Sequence, residues 1–129
     1  MFDAIRPRKT ELIKTSQTMA KLERRMRTFT ADLQRRCADY EPAPSPSYVR
    51  TNMLKKSWSR KTAWQNGVLV GEVISSGQVA PYNKFVRGRR NQQATRMAAR
   101  GWQSIDDIMD DEWPKAEADF KRIFREAGR

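Results

Sequence analysis

The sequence predicts a single α+β domain in which a long N-terminal helix and C-terminal helices pack on a small antiparallel β-sheet. Three observations lead there. Apolar residues recur at helical spacing from about residue 10 to 40, a period of two takes over after a proline-rich stop, and helical spacing returns beyond residue 104. At 129 residues the chain has room for one core, since domains commonly run to about 100–150 residues.

Residues 1–9 read as an N-terminal arm and 10–40 as the long helix. Its stripe is Leu12, Met19, Leu22, Met26, Phe29, Leu33, Cys37 and Tyr40. Thr10 is the expected N-cap, with Glu11 in the first turn where the helix dipole favours negative charge. Seven-residue steps at 12, 19, 26, 33 and 40 would also suit a coiled coil. The companion positions Thr15, Leu22, Phe29 and Arg36 make that seam impure, so packing on the chain's own sheet or on a neighbouring subunit is preferred. Lys21, Arg24, Arg25 and Arg27 read as a solvated basic face.

Pro42, Pro44 and Pro46 end the helix within a stiff connector, 41–47, because proline lacks the backbone donor and extends the residue before it. Residues 48–88 are assigned to the antiparallel sheet. Trp58, Thr62 and Trp64 share one parity and Ser57, Ser59 and Lys61 the other. Asn66-Gly67 accepts the positive φ angles of a tight hairpin turn. In the following strand Val68, Val70 and Ile74 occupy one face and Leu69 and Val73 the other, which predicts cover on both faces. Ser75-Ser76-Gly77 makes a further turn, and Gln78 to Val86 a third strand interrupted by Pro81.

Residues 89–103 read as a basic loop and a short helix within Gln92–Ala99; from Arg87 to Arg100 there are five arginines and no acid. Residues 104–129 read as C-terminal helices. Ser104 caps the first, with Asp106 and Asp107 in its first turn. Pro114 sits in the first turn of a renewed helix whose expected buried stripe is Trp113, Ala116, Phe120, Ile123, Phe124 and Ala127.

Twenty-six Lys and Arg face fifteen Asp and Glu, for a formal charge of +11, and there is no histidine. That removes Ser-His-Asp and Cys-His nucleophile pairs, imidazole acid–base chemistry and His-ligated zinc. The lone Cys37 cannot close an internal disulfide and reads as a buried or half-buried thiol. Asp106, Asp107, Asp110, Asp111 and Glu112 form the one cluster suited to metal or acid–base work. Carboxylates at a helix start need no catalytic reason, and no glycine-bearing calcium loop surrounds them. No catalytic residue, metal or cofactor is expected. With no long apolar run and no apolar leader, no membrane association is expected, and the chain is expected to be made and used in the cytoplasm.

Charge is uneven along the chain: ten basic and five acidic residues in 1–40, eleven and two in 41–101, five and eight in 102–129. A basic middle suits nucleic acid and an acidic protein surface alike. Arg87, Arg89, Arg90, Arg96 and Arg100 are therefore candidates for an interface or for DNA phosphates, with Phe85 or Trp102 available to stack a base. No helix-turn-helix, zinc-finger or aromatic RNA-binding signature accompanies them.

The most specific feature is an ordered set of short motifs. Tyr48-Val-Arg-Thr-Asn-Met-Leu-Lys-Lys-Ser-Trp58 comes first, then Pro81-Tyr-Asn-Lys-Phe-Val-Arg-Gly88, Gln93-Ala94 and Gly101-Trp102. This succession resembles the tail-completion or neck (minor tail, tail-component) protein family of long-tailed double-stranded-DNA phages, over about residues 48–128. The matching positions are Tyr48, Arg50, Thr51, Leu54, Ser57, Trp58, Tyr82, Val86, Gly88, Gln93, Gly101 and Trp102. Asn52 stands where the family favours Gly, and Arg87 where it often has an uncharged polar residue. Tyr48, Trp58, Tyr82 and Trp102 are read as core or corner residues.

The resemblance implies a structural virion protein of the head–tail junction, assembled in the host cytoplasm. It implies a homo-oligomeric ring, expected to be a hexamer, between tail terminator or tail-tube proteins and head connector or stopper proteins. Non-specific contact with genomic DNA in the channel would suit the basic residues, and the basic middle and acidic C-terminal segment could meet between subunits. The alternative reading is a small basic protein that binds nucleic acid without sequence preference.

Overall fold

The computed structural model describes residues 9–41 and 50–128, with side chains for 15–41 and 53–128. Residues 1–8, most of the proline-rich connector, and Tyr48 lie outside the described residues, as do the side chains of Thr10, Leu12, Arg50 and Thr51. The elements are α1 (Lys9–Ala38), α2 (Arg50–Lys56), β1 (Trp58–Gln65), β2 (Val68–Ser75), α3 (Asn83–Arg87), α4 (Thr95–Ala99) and α5 (Ile105–Ala127). The expected α+β arrangement holds: a long N-terminal helix and a C-terminal helix with a small antiparallel sheet.

The 30-residue α1 is about 45 Å long. Its stripe buries Leu22, Phe29, Leu33 and Cys37, while Met26 is half-buried and Met19 is 42% exposed. Tyr40, just past the helix end, is also buried. Thr10 is not the cap, because the helix already includes Lys9.

Two stretches assigned to the sheet are helical instead. Arg50–Lys56 forms α2, whose Met53, Leu54 and two lysines favour helix and lack strand alternation. Leu54 is fully buried, and its carbonyl accepts from the Ser57 backbone N–H at 3.2 Å. The third strand over Gln78–Val86 is absent: α3 stands there, preceded by turns. Pro81 cannot donate to a ladder, and the local bonds Ala80 N–H to Ser76 O (3.0 Å), Asn83 N–H to Ala80 O (3.1 Å) and Phe85 N–H to Tyr82 O (3.0 Å) coil the chain.

β1 and β2 pair antiparallel from Trp58↔Ser75 to Gln65↔Val68. Asn66 (φ 51°) and Gly67 (φ 79°) close the hairpin, as a two-residue turn with two positive φ angles requires. The face carrying Trp58, Thr62, Gly71 and Val73 meets α1. A Cβ on Gly71 would lie 2.6 Å from Met26 Sδ and 2.8 Å from Thr30 Cγ2, so glycine sets how closely helix and sheet approach. The expectation that both faces are covered is not met within one chain, since Val68 is 61% and Ile74 54% exposed on the other side.

α5 is one continuous helix with Pro114 inside it, not two helices. Proline removes the bond to the carbonyl of Asp110, and both residues are exposed, so water can replace it. Ser104 makes a capping box: its hydroxyl accepts from Asp107 N–H at 3.2 Å, and its own N–H donates to Asp107 Oδ2 at 2.9 Å. α5 lies along α1, with Phe29 and Trp113 edge to face at 5.6 Å and Arg25 bound to Asp119 at 2.6 Å. The buried face of α5 is Ile108, Glu112, Ala116 and Ile123. Of its expected stripe, Phe124 (61% exposed) and Ala127 lie outward instead, while Trp113 packs on Phe29 and remains 39% exposed. No helix of the described residues is long and apolar enough to cross a membrane.

Replacing Gly71 by Val is expected to lower the free energy of unfolding by about 1–3 kcal/mol, the usual cost of overpacking. Gly77→Ala, where an added Cβ meets nothing within 4 Å, is expected to change it by less than about 0.5 kcal/mol. Urea titrations followed by far-ultraviolet circular dichroism compare the two.

Candidate functional site

The motif pieces scattered along the sequence meet around one buried polar hub. Trp58 Nε1–H donates to the Tyr40 hydroxyl at 2.7 Å, and that hydroxyl donates to Asn83 Oδ1 at 2.7 Å. Asn83 Nδ2–H donates to Ser75 Oγ at 2.7 Å, and Ser75 Oγ lies 2.9 Å from Ser57 Oγ. The Ser57 proton goes to the Leu54 carbonyl at 2.6 Å, so Ser75 is the donor between the two serines. Five hydrogen bonds thus run one way, from an indole on β1 to a carbonyl of α2. Tyr40 and Trp58 are 8% and 7% exposed and Asn83 2%. Burial pushes the Tyr40 phenol up from its usual range, against the pull of the Trp58 bond. Burial likewise raises the neighbouring Cys37 thiol to about 11.

Arg87 forms the second half of the hub. It was expected on a solvated loop as an interface or DNA contact, but it is 1% exposed. Its guanidinium lies 4.5 Å over the Tyr40 ring and donates to Gln103 O (2.9 Å), Asp39 O (3.1 Å) and Glu41 Oε2 (2.9 Å). Glu41 Oε1 accepts from Gln103 N–H at 3.1 Å. One side chain from α3 thereby ties the end of α1 to the approach to α5. Within the hub, Arg87 Nε is buried without an acceptor among the described residues.

The remaining motif positions shape the frame around these groups. Gln93 Nε2 donates to the carbonyls of Val86 (3.1 Å) and Trp102 (2.9 Å), clamping the two ends of the arginine loop. A Cβ on Gly88 would run into the Lys84 carbonyl, while the Gly88 carbonyl accepts from Ile105 N–H at 3.1 Å. Gly101 takes φ 79°, which turns the chain so that Trp102 N–H reaches Met97 O at 3.1 Å. Leu54, Val86 and Trp102 are in the core, and Tyr82 is half-buried against it. Sequence reasoning missed Glu41, Ser75, Asn83 and Gln103. The adjacency of Asn83 to Tyr82 was the one local signal; Glu41 stands 46 residues from Arg87.

The rest of the arginine loop is bound within its own chain. Arg89 Nε pairs with Asp106 at 3.0 Å, and Arg90 Nη2 with Asp107 at 2.8 Å and Asp110 at 2.9 Å. The acidic start of α5, considered above as a metal or inter-subunit surface, is therefore occupied by its own arginines. The Arg90 backbone N–H (2.8 Å), followed by Arg89, holds the Asp106 carboxyl below its usual range. The Ser104 backbone N–H, followed by the Arg90 side chain, does the same for Asp107. Arg96 and Arg100 are exposed and form no ion pair among the described residues. Beside this loop a groove of about 400 Å³ has an apolar wall of Val73, Ile74, Pro81 and Ile105 and a rim bearing Lys84 and Arg89.

This geometry makes the site a structural clamp whose failure is measurable. Arg87→Met leaves Glu41 and two carbonyls without their donor and is expected to destabilise by about 3–5 kcal/mol. Arg87→Lys is expected to recover less than half of that, because an ammonium lacks the planar fork that reaches all three acceptors. Urea denaturation followed by near-ultraviolet circular dichroism measures both.

Asp106 and Asp107 lose their protons more readily when folded, so their stabilisation is present above the unfolded value near 3.8. It is lost as pH falls through their lower folded values. Asp106→Asn with Asp107→Asn is expected to flatten the acid limb of Tm against pH below about pH 4. Searches of protein-family models, curated proteins and solved structures found nothing that matches this chain.

Proposed function

We propose that this chain is a structural component of a phage head–tail junction, a tail-completion or neck protein that assembles into a ring. The observation that carries the reading is the convergence of the resembling motifs. Leu54, Ser57, Trp58, Val86, Gly88, Gln93, Gly101 and Trp102 come from four separate stretches and act as one hub and its frame. Positions spent on holding the fold together fit a role in mechanical joining, and no catalysis, metal or cofactor is proposed.

A ring needs two different patches that meet between neighbours. The lone chain exposes apolar side chains in separate places: Val68 and Ile74 on the outer hairpin face, Phe85 on α3 and Phe124 on α5. Arg89 and Arg90 already pair within the chain, so the subunit contact in this proposal is chiefly apolar. The expected copy number is six, with tail terminator or tail-tube proteins on one rim and head connector or stopper proteins on the other, in the virion.

Electron microscopy of the purified protein is expected to show rings, and labelled particles are expected to carry it at the head-proximal end of the tail. Val68→Asp with Ile74→Asp is expected to abolish self-association in light scattering while leaving the near-ultraviolet spectrum of the hub intact. A protein that stays monomeric at high concentration and is absent from particles would sink the reading.

A further inference from the structure

We infer that the seam between α1 and α5 is a binding site for the phosphodiester backbone of duplex DNA. Cationic charge left after the pairs are formed also lies on exposed Lys55, Lys56, Arg60 and Lys61, and the α1–α5 seam is set apart by gathering it in a concave groove. Arg87 is buried, and Arg89 and Arg90 are held by Asp106, Asp107 and Asp110. The loop that looks most basic in the sequence therefore offers a polyanion little beyond Arg96 and Arg100.

The α1–α5 seam also has two unpaired cations, but it holds a larger excess of cation over carboxylate within one groove. Lys21, Arg24, Arg25 and Thr28, three and four residues apart on α1, face Arg122, Ile123 and Glu126 of α5 across a groove of about 270 Å³. One carboxylate, Asp119, serves two guanidiniums, Arg25 Nε at 2.6 Å and Arg122 Nη2 at 3.2 Å. Arg25 Nη1 is buried without an acceptor among the described residues. Lys21 and Arg24 are exposed and form no ion pair among the described residues. Four cations against Asp119 and Glu126 leave an excess of two positive charges in a concave seam, where the walls focus the field.

The lining selects the ligand class. Among the described residues no aromatic side chain faces the groove to stack a base, and Ile123 is its one large apolar residue, too little to anchor an acidic peptide. Ammonium and guanidinium groups along about 6 Å of helix, from Lys21 to Arg25, with Arg122 across the groove, suit phosphate oxygens. Such contacts position a duplex without reading its sequence. The inference does not depend on ring assembly; within a ring it would place this seam on the channel side.

Fluorescence anisotropy with a labelled 30-base-pair duplex of mixed sequence tests it, titrated from 50 to 300 mM salt. Lys21→Gln with Arg24→Gln is expected to weaken binding about tenfold at low salt and to reduce the slope of log K against log salt by about two. Arg96→Gln with Arg100→Gln is expected to leave both unchanged. Three results would each overturn the inference: no binding by the unmodified chain, no loss with the α1 pair, or equal loss with the α4 pair. Light scattering reads self-association separately, so a monomer that binds DNA through Lys21 and Arg24 would refute the ring and leave the seam assignment standing.

Discussion

The direction of one hydrogen-bond chain organises this structure. It starts at the Trp58 indole, which can only donate, and ends at the Leu54 carbonyl, which can only accept. Between these fixed ends Tyr40, Asn83, Ser75 and Ser57 each receive a bond from one neighbour and pass one to the next, so no intermediate group can reverse without leaving a buried donor or acceptor unmatched. Five segments are thereby held in register: the end of α1, α2, the first residue of β1, the last of β2, and α3. Arg87 caps the assembly by lying over the Tyr40 ring and binding the chain on both sides of it. A small two-stranded sheet is marginal alone, and here its open end is sutured to three helices.

A second consequence concerns charge. The formal +11 overstates how much the molecule presents to a partner. Arg36 is taken by Glu112 and Asp111, Arg87 by Glu41, Arg89 by Asp106 and Arg90 by Asp107 and Asp110. The exposed pairs are individually weak, yet together they lay the arginine loop against the start of α5. The basic middle and acidic C-terminal segment thus meet inside one subunit, and the cations left over lie mostly elsewhere.

Features with a local cause were legible in the sequence. The α1 stripe is visible because burial repeats along one helix face from Leu22 to Cys37. Asn66-Gly67 announces its turn through backbone sterics, and Ser104 its cap through the donors of the first helical turn. What could not be read was set by distant partners. α2 and α3 have seven and five residues, too few to be stable alone, and exist because Leu54, Asn83, Val86 and Arg87 are fixed from outside. Arg87 looked solvated because its neighbours are charged, yet its acceptors are two carbonyls and a carboxylate from remote segments. The order of the motif pieces was plain; that Tyr40 and Asn83 join them was not, since neither lies at a position of the pattern.

The pairing of α1 with α5 also sets a timetable for synthesis. Arg25 and Asp119 are 94 residues apart, so the helix made first meets its main partner helix only when nearly everything between has been translated. At about 5–20 residues per second, that interval is on the order of 5–20 s. Throughout it the stripe of Leu22, Phe29 and Leu33 has no α5 to shelter it. Until α5 has been made, the long helix α1 is therefore only partly covered.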